Sequence, residues 1–300
     1  METAAIILNY NTSEETLSCV ASIKENAKEP VNIIVVDNGS SPGEKKRLSP
    51  LFQTENVTVI LSESNTGYSR GMNAGIACAL KKGCGIFYLI NSDVLLKNDI
   101  FTIINSSIDD RTGIAAPAVF DTDGNYTQCA LKRLDLKICI YSLPVLRRFF
   151  SKRLSSLRNI QYDNSRDFLY DGPVPGSCFA VTRKMLSDGV LFDSRMFLYF
   201  EEDVLSYIAR SKGLLTFISS GAAVTHALGT ATEKATEINT WAFYEASKLY
   251  VLKEYAKADP RILRILTAAT AALLRAKAFF GLLPDDTDRL FLKETGRLFS

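Results

Sequence analysis

The tripeptide Asn91-Ser92-Asp93 directly follows residues 85–90, an apolar run with the character of a buried strand. A carboxylate held rigidly at the end of such a strand can bind a divalent cation. Magnesium usually takes one or two protein carboxylates and completes its shell with phosphate oxygens and water. Asp93 and a diphosphate would therefore suffice for a metal site, although the same tripeptide is also typical of an Asx turn.

Polar residues follow a second β-rich run in the same way. Asp37 and Asn38 come after residues 31–36 and lead into Gly39-Ser40, a set of groups suited to hydrogen bonds with a base or a ribose. The loop 65–73 adds glycines, an arginine and the start of a helix, all useful around a diphosphate. We therefore expect this loop to help bind a diphosphate.

His226 is the single histidine of the chain. A lone histidine is more often structural than a ligand, but a neutral ring nitrogen could complete the shell of a metal at Asp93. The cluster Glu201-Glu202-Asp203 follows an aromatic run and begins a helical pattern. Helix capping explains three acids there, whereas a carboxylate buried on this apolar approach could act as a general base. Spacing alone does not choose among the three.

The elements that position these residues alternate between β-rich and helical patterns along the first third of the chain. This alternation predicts an α/β fold, with a mostly parallel, Rossmann-like sheet flanked by helices. Ligands of such sheets bind at the carboxyl ends of the strands, where Asn9, Asp37, Asn38 and Asp93 fall. The predicted strands are 4–8, 31–36, 57–61 and 85–90, and the predicted helices are 13–25 and 71–81.

The chain divides into three parts: we expect residues 1–120 to form a nucleotide-binding half, 121–170 a variable insertion and 171–235 an acceptor-binding and catalytic half. These three parts would make one domain, 1–235. Residues 236–300 have helical periodicity, and charges interrupt their apolar segment too often to predict a transmembrane span. We expect this C-terminal helical extension to contact either an anionic membrane surface or a partner.

Composition excludes several classes of function. A net charge of +2 and a pI near 8.1 do not predict nucleic-acid binding, which needs a concentrated basic face. The six cysteines contain no CxxC pair, so neither a zinc site nor a disulfide framework is indicated. The N-terminal residues lack the basic region of a secretory signal. We therefore expect a cytoplasmic protein.

Together these residues resemble the family 2 inverting glycosyltransferases of the GT-A fold, in particular the bacterial rhamnosyltransferase-like branch. The resemblance extends from about Ala4 to Ala231, and it rests on the order and spacing of its pieces. Those pieces are Ile7-Leu8-Asn9-Tyr10-Asn11, Val35-Val36-Asp37-Asn38-Gly39-Ser40, residues 65–73, Asn91-Ser92-Asp93-Val94, Gly176-Ser177-Cys178-Phe179, Phe192-Asp193, residues 197–203 and His226.

The resemblance implies a role for each group of residues. Asp93 and His226 would bind Mg²⁺ or Mn²⁺, and an acid of the cluster would be the catalytic base. Register with the acidic motif of the family indicates Glu202, with Asp203 as the alternative. The acceptor would contact Gly176, Ser177 and Glu201. The donor would contact Asn9, Asn11, Asp37, Asn38, Asn65, Gly67, Arg70, Asn73, Asn91 and Ser92.

The expected reaction moves a sugar, with inversion, from a UDP- or dTDP-sugar to a lipid-linked or polysaccharide acceptor of cell-surface glycan synthesis. dTDP-rhamnose is one candidate donor. The enzyme would act as a peripheral protein on the inner face of the cell membrane, and a homodimer stays open. A sugar nucleotidyltransferase is one alternative, but it predicts a glycine-rich basic loop where Asn9-Tyr10-Asn11-Thr12 stands. A non-catalytic scaffold is the other, and it predicts loss of the metal and base residues.

Overall fold

A computed structural model gives the fold and describes residues 2–127, 130–227 and 240–300. Its described strands form one curled sheet: β1 (Glu2–Asn9), β2 (Asn32–Asp37), β3 (Val57–Leu61), β4 (Cys84–Asn91), β5 (Val94–Leu96), β6 (Thr112–Phe120), β7 (Phe168–Tyr170), β8 (Cys178–Thr182) and β9 (Leu215–His226). Their order is β3-β2-β1-β4-β8-β6-β9-β5, with β7 beside β9. The described α-helices are α1 (Ser13–Asn26), α2 (Pro42–Arg47), α3 (Tyr68–Lys81), α4 (Ile100–Ser107), α5 (Leu136–Ser142), α6 (Pro144–Arg158), α7 (Glu201–Ser211), α8 (Thr240–Glu254), α9 (Pro260–Phe279) and α10 (Thr287–Phe299).

The first four strands form the parallel part of the sheet, in the order β3-β2-β1-β4. A helical crossover follows each of the first three strands, and such crossovers are what parallel neighbours require. Burial of nearly all of β1, β2 and β4 on both faces explains why these strands are almost continuous apolar runs. The strands and helices expected here are confirmed, although β1 begins at Glu2 rather than at Ala4.

The rest of the sheet is mixed. β8 pairs antiparallel with β4 and β6, β6 is parallel to β9, and β5 and β7 run antiparallel to β9. The start of β8 therefore lies at the carboxyl end of β4, where Asn91 N donates a hydrogen bond to Ser177 O (2.8 Å). The pairing of β5 with β9 aligns Val94 with His226. The mixed half thus brings Ser177 and His226 to the sheet edge that carries Asp93.

The insertion 121–170, whose structure the sequence left open, contains α5, α6 and β7. Ile138 and Cys139 of α5 pack with the C-terminal helices in a second apolar core, distinct from the core of the sheet. At the end of α6, Arg158 forms an ion pair with Asp203 of α7 (2.6 Å). The insertion therefore joins the C-terminal helices to the sheet domain.

The C-terminal extension is helical as expected, and α8 is its buried centre, with Leu249–Leu252 inaccessible to solvent. Tyr250 and Tyr255 anchor it, because both hydroxyls donate to the Asp193 carboxylate (2.6 and 3.0 Å). No helix among the described residues is long and apolar enough to cross a membrane. The expected domain boundary at residue 235 lies outside the described residues.

Asn9, at the end of β1, is the centre of a buried hydrogen-bond network. Its amide nitrogen donates to Asp37 Oδ1 (2.8 Å) and Ser40 Oγ (3.0 Å). Its amide oxygen accepts from the hydroxyls of Thr16 (2.9 Å) and Thr12 (3.3 Å). This single side chain therefore connects β1, the turn after β2 and the start of α1.

Replacing Asn9 with alanine should lower the free energy of unfolding by about 3 kcal/mol, because buried polar groups of Asp37, Ser40 and Thr16 would each lose a partner. Urea unfolding followed by circular dichroism measures the change. Asn32→Ala is the matched control, since its longer contacts (3.4 and 3.6 Å) lie near the surface. Equal destabilisation by the two variants would contradict the importance of the Asn9 network.

Candidate functional site

A cavity of about 550 Å³ opens at the carboxyl ends of β1, β2 and β4 and extends to the start of α7. This is the edge at which ligands of α/β sheets bind. Ten of the residues predicted to act in binding or catalysis line it: Asn38, Asn65, Gly67, Asn91, Ser92, Gly176, Ser177, Glu201, Glu202 and His226.

Asn38 shapes one wall of this cavity. Its amide nitrogen donates to Asn65 Oδ1 (3.0 Å) and Gly67 O (3.1 Å), and its amide oxygen accepts from Thr66 N (3.1 Å). Gly67 is required by its positive φ of 87° and by Phe197, whose carbonyl oxygen would lie 2.5 Å from a Cβ. The loop is therefore held tightly against the aromatic segment that precedes α7.

Several predicted donor-binding residues lie outside the cavity lining. Asp37 is fully buried under the turn after β2, where its carboxylate accepts from Asn9 and from Ser40 N. Asn11 accepts a hydrogen bond from Ser41 N (2.9 Å). These contacts support the wall of the cavity from behind, and direct contact of Asn9, Asn11 or Asp37 with a donor stays a prediction.

Arg70 and Asn73 project from α3 towards residues 191–194 rather than into the cavity. Arg70 Nε donates to Ser194 O (2.9 Å). Asn73 binds the backbone of Phe192 twice, through its amide nitrogen to the carbonyl (2.9 Å) and through its amide oxygen from the N–H (3.0 Å). Their observed contacts fasten the segment before α7 to α3, and a role in donor binding stays a prediction.

His226 lines the cavity, and Asp93 lies beside it, outside the cavity lining. Asp93 Oδ1 is 3.2 Å from His226 Nε2, and the two side chains are 3% and 16% exposed. The turn after β4 and the end of β9 hold them there. Ser92, between Asn91 and Asp93, shares a hydrogen bond with the hydroxyl of Thr12 (2.9 Å).

The chemistry of this pair fits a divalent ion. A carboxylate oxygen and an imidazole nitrogen are ordinary ligands, and donor atoms 3.2 Å apart are close enough to share an ion whose bonds are about 2.1 Å long. No group of three or more His, Cys, Asp or Glu side chains within the described residues could hold a metal ion. An ion at Asp93 and His226 would therefore need ligands from a bound molecule or water.

The acidic cluster forms the first turn of α7, and two residues with left-handed backbone precede it. Tyr199 (φ 75°) and Phe200 (φ 66°) turn the chain sharply into the helix. Such a conformation costs a non-glycine residue about 1–3 kcal/mol. Tyr244 of α8 packs on both rings, at centroid distances of 5.4 and 4.9 Å, and stabilises this turn.

Glu201 and Glu202 both line the cavity. Glu201 is 4% exposed and accepts a long hydrogen bond from Ser69 Oγ (3.5 Å). Burial raises the pKa of both carboxyls, and the neighbouring Glu202 raises the pKa of Glu201 further. Gly176 packs against Glu202 so closely that a Cβ built there would lie 1.6 Å from Oε1. The glycine therefore makes the space in which the Glu202 carboxylate lies.

Asp203 has a different environment from its two neighbours. It is 1% exposed, does not line the cavity, and forms two hydrogen bonds with the guanidinium of Arg158 (2.8 and 2.6 Å). It also accepts from Leu134 N (2.6 Å). Both carboxylate oxygens are thus occupied by partners within the protein, away from the cavity. Of the two acids considered as the base, the geometry favours Glu202.

Two hydroxyl groups in the cavity wall have no hydrogen-bond partner among the described residues: Tyr68 Oη and Ser177 Oγ. Buried hydroxyls are normally paired, so both are candidates to bind a ligand. Ser177 was expected to contact the acceptor, whereas Tyr68 was not selected from the sequence. Its position inside the motif 65–73 was the available signal, but an aromatic residue at a helix start is more often packing.

Comparison with known proteins places this geometry in a family. Residues 4–189 match the model described as glycosyl transferase family 2. No curated protein matches the chain.

Three solved structures share the fold at 13–14% identity. A mannosyltransferase from Pyrobaculum calidifontis in complex with GDP-Man and Mn²⁺ has a TM-score of 0.55 and 14% identity, over 99% of this chain and 87% of that one. S. aureus TarS 1-349 in complex with UDP has a TM-score of 0.54 and 13% identity, over 99% and 88%. GalNAc-T7 with UDP, GalNAc and Mn²⁺ has a TM-score of 0.55 and 14% identity over 90% of this chain, which spans 55% of that structure.

The family match covers more than half of the chain, from the first strand to beyond β8, and includes the cavity edge at Asn91–Asp93. The chain is therefore a glycosyltransferase that belongs to glycosyl transferase family 2.

Proposed function

We propose that this glycosyltransferase moves a sugar from a UDP- or dTDP-sugar to a hydroxyl group of a glycan or lipid-linked acceptor, with inversion at the anomeric carbon. The observation that carries the proposal is that Glu202 lines the same cavity as His226, whose ring nitrogen lies 3.2 Å from the Asp93 carboxylate. The neighbouring structures support the donor class, because two contain UDP and one contains GDP-Man.

Asp93 and His226 would hold a divalent ion together with the diphosphate of the donor. Mn²⁺ is present in two of the neighbouring structures, and either Mg²⁺ or Mn²⁺ suits these ligands. When bound, the ion supplies positive charge that stabilises the departing nucleoside diphosphate. The loop 65–67, which Asn38 holds by hydrogen bonds, also lines this cavity and would border the nucleotide.

Glu202 would remove the proton from the attacking acceptor hydroxyl. The bond between acceptor oxygen and anomeric carbon forms as the bond from that carbon to the diphosphate breaks, and the proton passes to the Glu202 carboxylate. Burial raises the pKa of this carboxyl, which strengthens it as a base near neutral pH. Displacement in a single step inverts the anomeric configuration.

The remaining cavity groups would orient the acceptor. Ser177 Oγ and Tyr68 Oη can each donate a hydrogen bond to a sugar oxygen. Glu201, whose pKa is also raised by burial, can donate one in its protonated form. The resemblance to the rhamnosyltransferase-like branch makes dTDP-rhamnose a donor to test and surface polysaccharide a product class. Attachment to the inner face of the cell membrane through the C-terminal helices, and a homodimer, are further parts of this proposal.

The purified chain should bind one member of a panel of UDP-, dTDP- and GDP-sugars only in the presence of Mn²⁺ or Mg²⁺. Asp93→Ala should weaken this metal-dependent binding at least tenfold, because the ion would lose its carboxylate ligand. Glu202→Gln should keep the binding and lose more than 100-fold in turnover, since only the base is removed. Calorimetry and release of nucleoside diphosphate measure the two effects.

Asp109→Ala serves as the acidic control for these variants, because Asp109 lies at the surface and pairs only locally with Arg111 and Thr112. Absence of metal-dependent binding of any donor would contradict the proposed metal site and the mechanism built on it.

Turnover should fall as the pH decreases through a range well above the ordinary pKa of glutamate, about 4.3. The reason is that burial raises the pKa of Glu202, so the carboxyl becomes protonated, and inactive as a base, at a higher pH than usual. The pH dependence of kcat under saturating donor measures this limb. A limb near pH 4 would show that the titrating base is a solvated carboxylate elsewhere.

Gly176→Ala should reduce turnover about 10- to 100-fold with little change in donor affinity. The new Cβ would overlap Glu202 Oε1 and displace the carboxylate from its position beside Gly176. Gly221→Ala is the control, because its nearest neighbour would be 3.6 Å away. Steady-state kinetics of both variants measure turnover and donor affinity. Full activity of Gly176→Ala would show that turnover does not depend on the position of Glu202.

A further inference from the structure

A second cavity, of about 700 Å³, lies between α8, α9 and α10 at the end of the C-terminal extension. We call it the C-terminal cavity. It shares no lining residue with the cavity at the sheet edge. Its walls are mainly apolar side chains, with Leu263 on α9 and Leu292 and Phe299 on α10.

The floor of this cavity contains a buried polar atom that the described residues leave unsatisfied. Thr295 is 4% exposed and lines the cavity, and its Oγ1 has no hydrogen-bond partner among them. A buried hydroxyl without a partner costs stability unless a bound molecule or water accepts its hydrogen bond. Thr295 therefore points to a ligand that carries a hydrogen-bond acceptor.

Gly296, the next residue of α10, keeps the cavity open. A Cβ built at this position would meet no atom within 4 Å, so close packing does not explain the glycine. Glycine is also one of the least favourable residues inside a helix. The residue thus preserves free volume beside Thr295, as a binding site would need.

The charged side chains that line the C-terminal cavity are basic. Among the described residues they are Lys253, Lys257 and Arg264. Lys253 is partly engaged, because its ammonium donates to Phe299 O (2.8 Å) and pairs with Glu254 (3.1 Å). Lys257 and Arg264 are exposed at the rim. An apolar interior with a cationic rim matches a molecule that has an apolar chain and an anionic head.

We propose that the C-terminal cavity binds one anionic lipid, whose acyl chain fills the apolar interior and whose head group lies at Lys257 and Arg264. The Thr295 hydroxyl would donate to an ester or carboxylate oxygen of that lipid. This site is independent of the donor site, and its existence does not rest on the proposed transferase reaction.

Binding of 1-oleoyl-lysophosphatidylglycerol to the full chain, measured by displacement of a dansyl-labelled undecanoic acid, tests the proposal. We expect saturable binding with a stoichiometry of one, at least tenfold stronger than binding of uncharged oleyl alcohol. Inorganic phosphate, which lacks the acyl chain, should not displace the probe. No saturable binding, or equal binding of the charged and uncharged lipids, would overturn the proposal.

Gly296→Leu should weaken lipid binding at least tenfold, because its side chain would extend into the cavity from a Cβ that meets no atom within 4 Å. Gly43→Leu is the matched control. A Cβ on this glycine of α2 also meets nothing within 4 Å, and Gly43 does not line the cavity. Thermal unfolding of both variants verifies that they fold. Unchanged lipid binding by Gly296→Leu would place the lipid elsewhere and refute the assignment.

Lys257→Gln with Arg264→Gln should weaken the lysophosphatidylglycerol but leave oleyl alcohol unaffected. Donor-dependent release of nucleoside diphosphate should stay unchanged in Gly296→Leu, which separates this site from the donor cavity. Light scattering adds a further criterion: a dimer of the native chain that dissociates in Gly296→Leu, without any lipid binding, would show that a second copy covers the cavity and would overturn the lipid assignment.

Discussion

The ion pair between Arg158 and the buried carboxylate of Asp203 is the interaction on which the arrangement of the site depends. It connects the last residue of α6 to the first turn of α7, and Asp203 accepts a further hydrogen bond from Leu134 N. Removing one partner of such a pair leaves an uncompensated charge and usually costs about 3–5 kcal/mol. Because Glu202 precedes Asp203 directly, the same pair fixes the carboxylate that faces the cavity.

Glu202 and Asp203, adjacent in the first turn of α7, have different environments. Asp203 is hydrogen-bonded to Arg158 and lies outside the cavity lining, whereas Glu202 lines the cavity and burial raises its pKa. The Arg158 charge lowers the pKa of Glu202 and opposes that effect. Helix α7 adds its own positive N-terminal field, which also favours carboxylates at this position. The site thus balances burial against nearby positive charge.

The sequence predicts those parts of the fold that depend on local pattern. Continuous apolar runs identified β1, β2 and β4, and their polar ends identified the sheet edge of the cavity. It could not reveal that the Asn73 amide is hydrogen-bonded to the backbone of Phe192, or that Arg158 pairs with Asp203. Both contacts join segments far apart in the chain. The structure of the insertion stayed open, since the apolar side chains of its helices belong to the second core, with the C-terminal helices, rather than to the core of the sheet.

The left-handed turn at Tyr199 and Phe200 depends on a part of the chain that lies beyond the segment matched by the family model. The family match ends at residue 189, before this turn, while Tyr244, which packs on both of its rings, belongs to α8. A chimaera that takes residues 2–227 from this chain and its last helices from a relative would therefore keep the turn but lose the Tyr244 ring that packs on it. An exchange of segments in this chain should therefore keep the turn and α8 together.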